Sequence, residues 1–282
     1  MLEREPSRTA LAAAAYRAAH QVLEDGRVFK DPLALTILGL DADAIRGNAQ
    51  LNDARQGIRF FVAARANIAE RALGLGVETR GVGQLVVLGA GLDTFAYRNP
   101  YGDRLRVFEV DHPATQAWKR RRLEETGIAI PGNVTYAPVD FEREVLSEQL
   151  AAAGLDPGVR TVFTWLGVLP YLTAEAITAT LSYIAAHPAG AEVVFDYAEP
   201  PDRIDEAYRA RHQERAARVA AAGEPFLSYF VPDQLHAQLR GLGLSEIEDL
   251  DLPAMVARVT GQPAPASGAR RAGGHVLIAR TA

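Results

Sequence analysis

The sequence predicts an α/β fold, a doubly wound and mostly parallel sheet with a helical region ahead of it and one long insertion. Two observations carry that prediction. From about residue 77 onward, short β-rich runs alternate with helix-compatible segments, and each run is nearly continuous in apolar character, as strands covered on both faces are. Up to about residue 76 only helical patterns occur.

In the first region, "SRTALAAAAYRAAHQVLE" begins at Ser7, a good N-cap, "DPLALTILG" has an Asp-Pro opening, and "DARQGIRFFVAARANIAERALGLG" runs to glycines 74 and 76. All three need a partner for their apolar stripes, so they read as a cap. The strand candidates follow at 84–89, 105–111, 134–138, 161–167 and 192–198. Helical segments such as "PATQAWKRRRLEETG" and "TAEAITATLSYIAAH" separate most of them, which implies right-handed parallel crossovers. Two more runs, 245–251 and 274–280, flank a Pro/Gly/Ala-rich stretch and read as a closing hairpin at the sheet edge. The stretch from Glu199 to Gly243 is too long for a simple connection and leaves the carboxyl end of a strand, where a lid belongs. We expect one domain: a cap (1–76), a cofactor-binding core (77–198), a lid insertion (199–243) and closing strands (244–282).

With 282 residues, 48% of them hydrophobic, the chain can bury a large core. Its net charge of −5 argues against a nucleic-acid partner. The one basic run, Lys119 to Arg122, sits beside Glu124 and Glu125 at helical spacing and reads as a solvated helix face. Cysteine is absent, so neither disulfides nor a Cys-ligated zinc site can form, and we expect no metal. Charges interrupt the first 20 residues, and no window approaches a membrane span, so a soluble cytoplasmic protein is expected.

Chemistry concentrates at three strand ends. "LVVLGAGLDTFAYR" sets Gly89, Ala90 and Gly91 at the end of the first strand, where open α/β sheets bind ligands. Glycines there admit close backbone approach, and the amides opening the next helix would offer donors. A tight strand-to-helix turn wants glycine without any ligand, too. The dinucleotide version needs a third glycine where this chain has Thr94. Glu109 and Asp111 end the second strand about 20 residues on, where a carboxylate can take both hydroxyls of a ribose. After the third strand, Asp140 and Phe141 could meet an adenine amino group and ring, or serve as an N-cap and a core aromatic.

Together with "TALAAAAYRAAH", "FKDPLA", "FFVAARANIAERAL", "FEVDHPATQAWKRRRL", "VDFE" and "WLGVLPYLTAEA", these pieces resemble the class I S-adenosylmethionine-dependent methyltransferases, specifically the leucine carboxyl methyltransferase-like group. The resemblance spans most of the chain. It implies a seven-stranded Rossmann-like sheet and S-adenosyl-L-methionine as cofactor. It also implies that Arg65 pairs with the methionine carboxylate, a task suited to a guanidinium. Gly89 and Gly91 would then lie along the methionine moiety, Asp111 would hold the ribose, and Asp140 with Phe141 would bind the adenine. The Glu-Gly pair usual after the fourth strand is Leu166-Gly167 here, which removes one polar contact, and Glu70 stands where the group often has aspartate. Relatives that take a peptide carboxylate have an arginine after the adenine-loop acid; here Glu142 stands two beyond Asp140 and Arg143 is displaced by one.

The expected activity is therefore O-methylation of a carboxylate or hydroxyl on a small molecule, polyketide-like natural products among the acceptors of the group. A carboxylate needs no base, whereas a hydroxyl usually wants one. Candidates are His112 and His236 as base, with Tyr171 and Tyr197 at the carboxyl edge and Tyr229 and Phe230 closing over the acceptor. Two alternatives share the glycine turn: an NAD(P)-dependent oxidoreductase, and a non-catalytic protein that only binds the methyl donor. The sequence does not fix the oligomeric state.

Overall fold

A computed structural model describes residues 7–51, 56–141, 143–263 and 272–282. The expected start of the third helix at Asp53, the charged residues 3–5 and Glu142 lie outside the described residues.

Seven strands form one sheet in the order β3-β2-β1-β4-β5-β7-β6. They are β1 (Gln84–Leu88), β2 (Arg106–Asp111), β3 (Val134–Pro138), β4 (Thr161–Trp165), β5 (Ala191–Ala198), β6 (Leu244–Leu250) and β7 (Gly274–Thr281). The first five are parallel and in the predicted places. β1 and β4 are buried along their whole length, as their unbroken apolar character demands. β7 runs antiparallel between β5 and β6, so the expected hairpin pair exists but only β6 is the edge.

Helices cover both faces. On one lie α3 (Gln56–Thr79) and α9 (Leu252–Thr260), whose Ile68, Leu73 and Met255 meet Val87, Val194 and Ile278 of the sheet. On the other lie α5 (Leu146–Ala152), α6 (Ala174–Ala185) and α8 (Pro232–Leu242), packed on Phe163, Trp165 and Phe195 through Leu150, Leu181 and Leu239. α1 (Arg8–Leu23) is capped by Ser7, whose hydroxyl accepts from the Ala10 amide, and packs on α3 and on α2 (Ala42–Arg46). α4 (Pro113–Glu125) follows β2, and α7 (Glu206–Ala221) follows β5 with no buried residue of its own.

Several expectations need correction. The "DPLALTILG" segment makes only a 3-10 turn at Thr36–Leu38, because Asp31 folds back on the Leu33 amide and its carboxylate is held by Arg17 and by the Thr94 hydroxyl. α3 does not stop at its glycines: Gly74 and Gly76 lie inside the helix, where a Cβ would come within 2.6 Å of the Tyr101 hydroxyl and 3.0 Å of Val82. Close packing is their purpose. The basic run on α4 is not simply solvated, since Lys119 is buried against Glu109 and Arg122 reaches the carbonyls of Ile37 and Leu38. α9 was not legible in the stretch after β6. Finally, α8 packs on the sheet, so within 199–243 only the part before Pro232 stands outside the layers.

Candidate active site

The sheet's carboxyl edge brings the glycine turn, Asp111 and Arg65 onto neighbouring strand ends. β1 ends in Gly89 (φ 65°) and Gly91 (φ 46°), both left-handed. A Cβ on Gly89 would come within 2.4 Å of Val168, and one on Gly91 would meet Ala10 of α1 at 3.1 Å. Only glycine fits there. Ala90 between them turns inward, buried with Leu73, Val82 and Phe95. The helix expected to open after the turn is only a single 3-10 turn, Phe95–Tyr97, and Thr94 is buried with its hydroxyl on Asp31.

Asp111 closes the turn from β2. One carboxylate oxygen accepts from the Gly91 amide, and the other accepts from the His112 amide at 2.7 Å. Burial pushes its carboxyl above the ordinary range, and the Gly91 and His112 amides pull it back. Glu109, the other acid of that strand, is interior: it accepts from Lys119 at 2.8 Å and from the Tyr97 hydroxyl at 2.9 Å. At the end of β3, Asp140 starts a turn in which its carbonyl accepts from the Arg143 and Glu144 amides. It is not the cap of α5, which begins at Leu146. Phe141 beside it packs half-buried on the main core.

Arg65 enters from α3 and lies buried at the end of β4. Its Nη1 donates to Asp196 at 2.9 Å, and its guanidinium rests against Gly167 (φ 75°), where a Cβ would meet Nη2 at 2.7 Å. The other oxygen of Asp196 accepts from the Gly167 amide at 2.5 Å. Leu166 turns away into the apolar cluster under α3. Asp196 escaped the sequence reading, although a lone acid inside the apolar run "VVFDY" was the available sign that a buried partner exists.

The four candidates for chemistry separate. Tyr171 packs its ring on Phe226 at 5.4 Å, and its hydroxyl is pushed up by burial and pulled down by Arg215 and Arg65. His112 is the N-cap of α4, its Nδ1 accepting from the Ala114 amide. Tyr197 and His236 both bond Asp249, at 2.5 and 2.7 Å, in a separate cluster with His275 and Glu199. Tyr197 follows Asp196 in the strand and so points to the opposite face of the sheet. Of the lid aromatics, Phe230 packs on Tyr197, whereas Tyr229 joins Phe226 and His212, with the Arg215 guanidinium 5.4 Å from the Phe226 ring centre. His212, also missed, has its imidazole pulled down by burial and then by Arg215. Glu224, after α7, accepts from the Arg8 and Thr9 amides and from the Ser7 hydroxyl, which pins the lid to the start of α1.

Two observations about function class stand beside this geometry. Among the described residues, no group of three or more His, Asp or Glu could hold a metal ion. No described helix is long and apolar enough to cross a membrane.

Solved structures share the whole architecture. A Thermobifida fusca protein titled as a methyltransferase superposes with a TM-score of 0.59 at 16% identity, over 99% of this chain and 96% of that one. The magnesium protoporphyrin IX methyltransferase of Synechocystis, solved with bound S-adenosylhomocysteine, does so with a TM-score of 0.50 at 12% identity, over 96% and 99%. The class is thus the α/β fold that methyltransferases use. The model of the leucine carboxyl methyltransferase family matches residues 10–185, and the chain belongs to that family. YktD of Bacillus subtilis, named for S-adenosyl-L-methionine-dependent methyl transfer, is 36% identical over 189 residues, 66% of this chain and 62% of its own. A Mycolicibacterium paratuberculosis relative named likewise is 30% identical over 225 residues, 75% of this chain and 69% of its own. The chain therefore spans a little over six tenths of the length of the first of these relatives.

The residues present fit that donor. Gly89 and Gly91 leave the backbone bare of side chains at the end of β1, Asp111 lies beside the Gly91 amide, and Arg65 keeps Nε and Nη2 without a protein acceptor among the described residues.

Proposed function

We propose that the protein transfers a methyl group from S-adenosyl-L-methionine to a hydroxyl or carboxylate oxygen of a small molecule. The observation that supports this most is the order of the strand ends. Along β3, β2, β1 and β4 lie, in sequence, Asp140 with Phe141, Asp111, the two glycines, and Gly167 under Arg65. That order matches an adenine, a ribose, a thioether and an amino-acid carboxylate laid end to end. In this reading Phe141 packs on the adenine while Asp140 accepts from its amino group. Asp111 exchanges its bond to the Gly91 amide for the ribose hydroxyls. Arg65 takes the carboxylate through its remaining N–H groups.

The donor's sulfonium supplies an activated methyl group, so the protein's share is alignment and exclusion of water. Tyr171, Phe226 and Tyr229 give the acceptor side an aromatic lining, and the Glu224 contact to α1 closes it over. A carboxylate acceptor attacks without help. For a hydroxyl acceptor His212 is the group to receive the proton, since burial and Arg215 keep its imidazole neutral near pH 7.

Calorimetric titration with S-adenosyl-L-methionine and, separately, with NAD tests this reading. Saturable binding of the methyl donor is expected, weakened by about 1 to 3 kcal/mol in Asp111→Ala. Preference for NAD, or no binding of the donor, overturns it. Formation of S-adenosylhomocysteine with small phenols or carboxylic acids then separates an enzyme from a protein that only binds the donor.

A further inference from the structure

The amino-acid end of the proposed donor carries an ammonium group as well as a carboxylate, and an ammonium buried in a protein groove demands acceptors. The Leu166 side chain, at the end of β4, offers none, because it packs in the apolar cluster under α3. Asp196 stands in the same spot from the next strand. Its carboxylate is buried at 4% exposure, with one oxygen on Arg65 Nη1 at 2.9 Å and the other on the Gly167 amide at 2.5 Å. Each carboxylate oxygen has two lone-pair sites, so both of these bonds leave capacity for further donors. The register of β4 with β5 sets up this juxtaposition: Trp165 lies opposite Phe195, Asp196 is the next residue on β5, and the amide of Gly167, two residues beyond Trp165, donates to it.

Building on the methyl-donor reading, we propose that Asp196 accepts the ammonium of the donor, so that Arg65 and Asp196 together form a zwitterion clamp over Gly167. The pair carries one positive and one negative charge, matched to an α-amino acid whose ammonium and carboxylate are one carbon apart. Arg65 and Asp196 thus hold each other in register for a ligand that bonds both.

Three ligands that differ at this end, the second also in its sulfonium charge, test the assignment by calorimetry, each compared between wild type and variant. They are S-adenosylhomocysteine with both groups, decarboxylated S-adenosylmethionine with the amine alone, and 5′-methylthioadenosine with neither. Asp196→Asn is expected to weaken the first two about tenfold to a hundredfold and to leave the third unchanged. Arg65→Gln is expected to weaken S-adenosylhomocysteine but not the decarboxylated donor. Because Asp196→Asn leaves Arg65 buried without its carboxylate, the double variant Arg65→Gln, Asp196→Asn provides the check free of an orphan charge. It should bind the decarboxylated donor about tenfold or more weaker than wild type, in which Asp196 keeps its partner. Equal binding there, or equal loss across all three ligands in Asp196→Asn, overturns the assignment. Wild-type protein that fails to bind S-adenosylhomocysteine at all overturns the methyl-donor reading itself, a distinguishable result.

Discussion

Gly89 carries a strict local requirement, a left-handed backbone pressed against Val168. Gly89→Ala should cost about 1 to 3 kcal/mol from the backbone alone, with the contact adding to it. Gly81→Ala has the same handedness (φ 69°) but open space around the added carbon, so its loss should be smaller. Urea unfolding of the two variants checks the order. His112 makes the complementary case: as a cap it should lose about 1 kcal/mol when replaced by alanine, without moving the pH dependence of turnover. A shifted acid limb in the pH-rate profile of His112→Ala would instead make it a base. At this scale the sequence was readable where geometry dictates residue type. The glycine turn and Asp111 were singled out by their places at strand ends, and Arg65 only through the family resemblance. Asp196 and Glu224 were not, because each acquires its partner from an element far away in the chain, and His212 was not, because its neighbours Tyr229 and Phe226 meet it only once the segment after α7 folds back.

Strands were the legible elements, since burial on both faces writes an uninterrupted apolar run. Helices with one wet face, or with none of the usual punctuation, were harder. Glycines 74 and 76 mimic a stop signal yet serve the packing of α3 on Tyr101 and Val82. Lys119 shows the same limit. Helical spacing grouped it with its basic neighbours, but α4 turns it inward to Glu109, where Tyr97 completes the set. Burial pushes the Glu109 carboxyl up, against the pull of Lys119. Lys119→Met should therefore destabilise by about 3 to 5 kcal/mol, because it strands a buried carboxylate. Adding Glu109→Gln should recover much of that loss. Thermal or urea unfolding of the single and double variants measures it, and a double variant no better than the single would refute the orphan-charge explanation.

Across the whole molecule, the far end of the sheet is tied by a polar cluster that joins three strands. His275 of β7 bonds Asp249 of β6 at 3.0 Å and Glu199 after β5 at 3.2 Å. Burial pulls its imidazole down, but the two carboxylates outweigh burial and hold it above 6.5. Asp249 is correspondingly held low: burial raises it, and His275 with Tyr197 and His236 more than compensates. The sign of the linkage follows. Stabilisation by a raised histidine is complete below its unfolded value and is lost as pH rises through the folded one. The gap in urea midpoint between wild type and His275→Asn should thus be widest near pH 6 and shrink toward pH 9. A constant gap would mean that the ring acts through packing on Tyr197 alone.

The Glu224 contact to α1 has a consequence in time. It joins residues about 215 positions apart and rests on α7, which buries nothing, so it closes late in folding and opens early in native fluctuations. In hydrogen exchange the Arg8 and Thr9 amides should therefore exchange through a low-energy opening long before those of β4. Ala10 rides on the same helix against Gly91, so such openings should also loosen the cover over the glycine turn while the sheet beneath it stays closed.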